Sequence, residues 1–198
     1  MASKGICDRV AIVGMGCTAF GEHWDKSVGD MLVEAATEAF DSAKITKDQV
    51  DAYWLGSMGQ LSGLTLSEPL KIQYKPVTHV ENFCATGREA MRNAAYAVAS
   101  GAYDCVMAIG VEKLKDSGYS GLVTASPAGD GSMPTTTAPA SFSMLAPAYF
   151  KKYGLEPDLG KQVISMIAQK NHANGAKNPQ AQFQKPVDLE TITCSPKV

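Results

Sequence analysis

Apolar and polar positions change period several times along the first half of this chain. Residues 8–16, DRVAIVGMG, form a short β-branched and apolar run closed by glycines, which predicts a buried strand. Past Ser27 the period becomes helical. Met31, Leu32, Ala35, Ala36, Ala39 and Phe40 recur on one face, and Ser27 is suited to N-capping, so a helix is expected over 28–44. Residues 51–56, DAYWLG, read as a second strand, 57–65 as a Gly/Ser-rich connection, and 77–82, VTHVEN, as a third strand. Helical signals run from Cys84 to Ser100 and stop at Gly101; residues 104–112, DCVMAIGVE, are a fourth strand, apolar until Glu112. Near-continuous apolar strands alternating with helices predict an α/β fold with a mixed, mostly parallel sheet covered by helices.

After Lys113 the pattern weakens. Residues 117–147 are rich in Gly, Ser, Thr, Pro and Met. Helical spacing returns over 142–153 and again over 158–174, where Val163, Ile164, Ile167 and Ala168 share a face. Residues 179–198, with Pro179, Pro186 and Pro196, read as irregular. Two regions are therefore expected: a core over 1–113 and a long excursion over 114–198 that covers the active edge of the sheet.

Composition narrows the classes. A chain of 198 residues that is 45% hydrophobic can bury a substantial core. The net charge of -2 and the lack of a long basic run exclude nucleic acid and anionic membrane surfaces as expected partners. No apolar stretch reaches the roughly 20 residues needed to span a bilayer, and no secretion signal is expected. The five cysteines, Cys7, Cys17, Cys84, Cys105 and Cys194, contain no CxxC pair. That spacing predicts no metal site and five free thiols in a reducing cytoplasm.

Cys84 carries the candidate chemistry. It falls where a strand gives way to a helix, and the first turn of a helix offers unpaired N–H groups and the positive end of the dipole. Both favour thiolate over thiol, and the same N–H groups can receive an oxyanion formed by attack on a carbonyl. The helix behind it is built from Ala85, Gly87, Ala90, Ala94, Ala95, Ala97, Ala99 and Ser100, small residues that predict an enclosed, central helix. The bland reading is a small buried hydrophobe.

The string Asn82-Phe83-Cys84-Ala85-Thr86-Gly87, with Ala90 following, resembles the nucleophile motif of thiolases. YAVASGAYDCVMAIGVEKL resembles the central helix and next strand of that family. VAIVGMGCTAFG and KYG…KNHANGAKNPQAQF are similar to its sterol-carrier-protein-X branch. The resemblance covers nearly the whole chain. It implies the N-terminal half of a two-half fold, with Cys84 as the acyl-accepting nucleophile. It also implies thiolytic cleavage of a 3-oxoacyl-CoA or the reverse Claisen condensation, with coenzyme A thioester as substrate and no bound cofactor. A homodimer or dimer of dimers through 77–82 is implied, as is a small zinc-containing OB-fold partner of the DUF35 type. The base and acid would come from a second half, whose GHP-like and CxGGG-like strings do not occur here. Two alternatives stand beside this reading: a non-catalytic or split-subunit half, and a condensing enzyme of the ketoacyl synthase type.

Other signals are weaker. Gly14-Met15-Gly16-Cys17-Thr18-Ala19 fits GxGxxA, but no helix opens at once and no acidic residue ends the next strand, so a glycine turn is expected rather than a dinucleotide site. His79 lies about 15 Å along an extended chain from Cys84, which argues against a direct dyad and for a structural role. His23 and His172 fall in polar surroundings. Met133, Met144 and Met166 are candidates for an acyl pocket, against the commoner use of methionine as filler.

Overall fold

The strand expected over 51–56 alternates large apolar residues to one side, Tyr53 and Leu55, with Ala52, Trp54 and Gly56 to the other, and such a strand needs cover on both faces. In the computed structural model, which describes residues 5–60, 62–114, 123–124 and 136–195, it has that cover. Residues 1–18 and 23–113 form one compact unit, and residues 19–22 and 114–198 form a second.

In the first unit, β1 (Ala52–Gly56) is the central strand of a three-stranded sheet in the order β2-β1-β3, with β2 (Val77–Val80) and β3 (Val106–Gly110). Both pairings are parallel, with Tyr53 opposite Val77 and Met107, and Leu55 opposite His79 and Ile109. Helix α1 (Val28–Ala43) starts at Ser27 in a capping box closed with Asp30 and ends at Lys44 in the left-handed region. The connection after β1 holds a helix that the Gly/Ser-rich composition hid, α2 (Leu64–Leu70). Leu32 and Ala36 of α1, Leu66 and Leu70 of α2, and Val50, Tyr53, Leu55 and Val111 form one core cluster. Each fully buried leucine there contributes about 1.5–3 kcal/mol. Helix α3 (Thr86–Ala99) carries the chain from β2 across β1 to β3. Its Ala90 and Ala94 are buried, so the helix can approach the sheet closely.

Three expectations for this unit need correction. Residues 10–20 form no strand, and Ile12 and Val13 are each 65% exposed. An apolar run becomes a strand only where a sheet edge accepts its ladder, and β3 pairs with β1 alone among the described residues. The glycines of this segment serve a close approach instead. A Cβ on Gly16 would lie 2.2 Å from Ala35 O, and one on Gly14 2.5 Å from Ala39 O, so only glycine lets this segment lie on α1. Finally, α3 is covered on one face only, with Met91 and Tyr96 half exposed on the other.

In the second unit β4 (Val123–Thr124) pairs antiparallel with β5 (Thr136–Thr137). The helical pattern expected over 142–153 is two helices, α4 (Ala138–Ser143) and α5 (Leu145–Tyr153), separated at Met144. Helix α4 is capped by the Thr137 hydroxyl, and α5 is closed by Gly154 at φ 63°. Helix α6 (Pro157–Gly175) covers the helix expected over 158–174, with Gly160 beneath the Phe150 ring. The C-terminal stretch is not wholly irregular, because Asp188 caps a short helix, α7 (Leu189–Thr193). Met133 and most of 115–135 lie outside the described residues.

Candidate functional site

In a parallel sheet every connection leaves a strand at the same edge, so loops and helix starts collect beyond the carboxyl ends of the strands. Here that edge gathers Ser57, Met58 and Gly59 after β1, Glu81 to Thr86 after β2, and Glu112 after β3. Two carboxylates organise it. Glu112 accepts the Met58 N–H at 2.8 Å and the Gly59 N–H at 3.0 Å, with the Ser57 hydroxyl at 3.5 Å. A Cβ on Gly59 would come within 2.7 Å of the Glu112 carboxylate, so a side chain there would push the carboxylate off this position. His79 Nε2 donates to Ser57 O at 2.7 Å, which gives this histidine a positional job on the sheet and fixes which ring nitrogen carries the hydrogen.

Glu81 organises the second half of the edge. One carboxylate oxygen accepts the Phe83 N–H, and the other accepts the Thr86 hydroxyl at 2.9 Å. The Thr86 hydroxyl oxygen in turn accepts the Asn82 N–H at 2.7 Å. Thr86 is buried, and a Cβ on Gly56 would meet its Cγ2 at 3.1 Å, so the turn rests on the end of β1. Phe83 sits at φ 49°, in the left-handed region that non-glycine residues seldom adopt.

Cys84 lies inside this frame, in a 3-10 turn (Phe83–Ala85) that precedes α3. The helix itself begins at Thr86, two residues later than its residue pattern suggests, because Glu81 and Thr86 engage the N–H groups of 82 and 83 in a tighter turn. Cys84 is exposed, not enclosed as the small-residue helix implied. Exposure makes the thiol accessible and by itself says nothing of catalysis. None of the five cysteines is in a disulfide; burial, with Asp51 nearby, pushes the Cys105 thiol up, and that residue is at the opposite end of the sheet.

The other singled-out residues are elsewhere. His172 lies on α6 with its ring 6.1 Å from that of Phe183 and its Nδ1 buried without a partner, which matches a packing role. Met144 and Met166 are exposed. No group of three or more metal-ligating side chains, and no helix long and apolar enough to cross a membrane, occurs among the described residues. Sequence reasoning missed Glu81, Thr86 and Glu112 as members of the edge. A signal existed: each is a polar residue directly beyond an apolar strand or at the start of a helix, where turn N–H groups lack partners.

Comparison with known proteins bears on the family and the fold. Residues 10–195 match the family model of the thiolase N-terminal domain. The chain is 33% identical over 199 residues to an acetyl-CoA acetyltransferase of Methanothermobacter thermautotrophicus, covering 96% of this chain and 51% of that protein. It is 35% identical to the acetyl-CoA acetyltransferase of Methanocaldococcus jannaschii, covering 96% and 50%. The chain thus spans about half the length of these curated relatives. Among solved structures, the Ltp2-ChsH2(DUF35) aldolase superposes with a TM-score of 0.74 at 21% identity, over 95% of this chain and 49% of that one. An acetyl-CoA acetyltransferase from Syntrophomonas wolfei superposes with a TM-score of 0.63 at 16% identity, over 94% and 57%.

Proposed function

Because this chain belongs to the thiolase family, we propose that it supplies the nucleophilic half of an acyl-CoA acyltransferase, with Cys84 as the residue that carries the acyl group. The observation that supports this most is the position of Cys84, on a fixed turn at the carboxyl edge of the parallel sheet, directly ahead of α3. In the thiolytic direction the Cys84 thiolate attacks the 3-keto carbon of a 3-oxoacyl-CoA. The bond between carbons 2 and 3 breaks, carbon 2 takes a proton, and acetyl-CoA or a related acyl-CoA leaves. The remaining acyl group stays on Cys84 Sγ as a thioester. The thiolate of free CoA then attacks that thioester and regenerates Cys84. Run backwards, the same steps form a carbon–carbon bond.

CoA is a substrate in this scheme and no bound cofactor takes part. The base that deprotonates Cys84 and the acid that protonates carbon 2 come from a second half. The free thiols fit a reducing compartment such as the cytoplasm. Strand β2 is an edge strand with one side unpaired among the described residues, and a second copy pairing there would make the homodimer that the resemblance implies. A DUF35-type partner, of the kind named in the Ltp2-ChsH2(DUF35) aldolase, is a further proposal.

The test is turnover by the complete enzyme, this chain together with its second half. CoA-dependent cleavage of acetoacetyl-CoA is expected. Absence of both cleavage and condensation would leave the non-catalytic half as the correct reading, and condensation without thiolysis would favour the ketoacyl synthase type.

A further inference from the structure

We propose that Glu81 is a positioning residue for Cys84: its carboxylate, with the Thr86 hydroxyl, sets the direction from which the thiol meets an acyl-CoA. The proposal rests on the reading of Cys84 as the nucleophile. Its ground is the arrangement of the turn. Strand β2 ends at Val80, so Glu81 is the first residue beyond the sheet. Its two oxygens are used on opposite sides of Cys84, one on the Phe83 N–H before it and one on the Thr86 hydroxyl after it. Thr86 passes the restraint back to Asn82, and its methyl group faces Gly56 at the end of β1. The backbone of residue 83 before the thiol and the side chain of residue 86 after it are therefore tied to one carboxylate that follows directly on the sheet.

The backbone supplies a reason for such a clamp. Phe83 holds φ at 49°, and a non-glycine residue stays there only when its surroundings over-determine it. Released from Glu81, residue 83 can relax toward the ordinary α or β regions, and Cys84 Sγ then swings with the turn. A glutamine offers one acceptor oxygen in place of two, so it cannot receive the Phe83 N–H and the Thr86 hydroxyl on separate oxygens as the carboxylate does.

Positioning has a signature that thiol reactivity and folding lack. Attack on a bound acyl-CoA depends on near-attack geometry, and a misplacement of about 1 Å can cost roughly 10²-fold. A small reagent arriving from solvent has no such requirement. The experiment uses the complete enzyme and compares two rates at the same residue by peptide mapping: acylation of Cys84 by acetyl-CoA and alkylation of Cys84 by iodoacetamide. Glu81→Gln and Thr86→Val are expected to slow acylation about 10–100-fold while alkylation is not slowed, and Thr86→Ser, which keeps the hydroxyl, is expected to acylate like wild type. The exposed Cys194 serves as an internal reference for alkylation, and thermal unfolding verifies that each variant is folded. Wild-type acylation rates in Glu81→Gln and Thr86→Val would overturn the proposal, as would a parallel fall of acylation and alkylation. A wild-type enzyme whose Cys84 is never acylated would instead overturn the reading on which the proposal rests.

Discussion

The two ends of the parallel sheet use the same device for opposite purposes. At the amino end Asp51 accepts the N–H groups of Asp104 and Cys105, each at 3.0 Å, and so ties the start of β1 to the start of β3. At the carboxyl end Glu112 accepts the N–H groups of Met58 and Gly59 and ties β3 to the loop after β1. Beyond that likeness the ends diverge. The amino end is closed: Tyr53 is buried with its hydroxyl donating to Lys47 O at 3.0 Å, and the Lys75 ammonium caps the carbonyls of Lys47, Asp48 and Val50. A cavity of about 280 Å³ beside it is lined by Lys47, Asp48, Tyr53, Lys71, Ile72, Gln73 and Lys75, and the Lys47 and Lys75 ammonium groups are already bonded to carbonyls. The carboxyl end adds a second carboxylate, Glu81, and spends it on a left-handed turn that leaves a thiol in solvent. Carboxylates on backbone N–H groups hold a sheet together at one end and hold an exposed thiol at the other.

The sharpest way to break this comparison is to exchange thiols. Cys84→Ala is expected to lower acyl transfer by the complete enzyme by several orders of magnitude, on the order of 10³-fold or more, with unfolding unchanged; Cys105→Ala at the closed end is expected to leave the rate within a few-fold. Equal losses would erase the distinction between the ends. Next in size is the core between them. Leu55 is fully buried, and Leu55→Ala is expected to cost about 2–5 kcal/mol in denaturant unfolding. A smaller effect tests the Glu112 clamp. Gly59→Ala pushes the carboxylate off its N–H groups, and a loss of about 1 kcal/mol, the net scale of a hydrogen bond, is expected; full stability would mean that the loop does not depend on the clamp.

The smallest effects are those of pH, and both arise at the amino end, with opposite directions. Burial, with Asp48 nearby, raises the Tyr53 hydroxyl to about 12 from an ordinary value of 10.0. The unfolded chain therefore releases that proton first, and stability from this group, complete below pH 10, is lost as pH rises toward about 12. Tyr53→Phe should flatten that loss. Asp51 is lowered by the Cys105 and Asp104 N–H groups, so its contribution is present above the usual aspartate range and is lost as pH falls through its depressed folded value. Chemical unfolding followed from neutral to alkaline and from neutral to acid pH reads both, and a slope of opposite sign at either limb would contradict the assignment.

How far these features were legible in the sequence depends on whether they rest on local pattern or on partnership. Helix α1 was legible to its cap because Ser27, Asp30 and the apolar face act within a few residues of one another. Strands β1 and β3 were legible because each is apolar on both faces. Residues 8–16 read the same way and are not a strand, since pairing depends on a partner edge that no local pattern encodes. Helix α2 was hidden because Gly63 precedes it and Pro69 lies within it, both breakers by local rule. Cys84 was legible as a thiol at a strand-to-helix junction, but its exposure was not. The small residues of α3 announce close packing without saying on how many sides, and only Ala90 and Ala94, with Thr86 and Ala99, are covered. Glu81 and Thr86 were invisible as a pair because each alone reads as an ordinary polar turn residue.

The central claim is that Cys84 carries the acyl group. The most direct measurement is peptide mapping by mass spectrometry of the complete enzyme quenched during turnover of acetoacetyl-CoA. The account predicts an acetyl mass on the peptide containing Cys84, removed by free CoA, and none on the peptides containing Cys7, Cys17, Cys105 or Cys194. Turnover with Cys84 unmodified, or with the acetyl group on another cysteine, would contradict it.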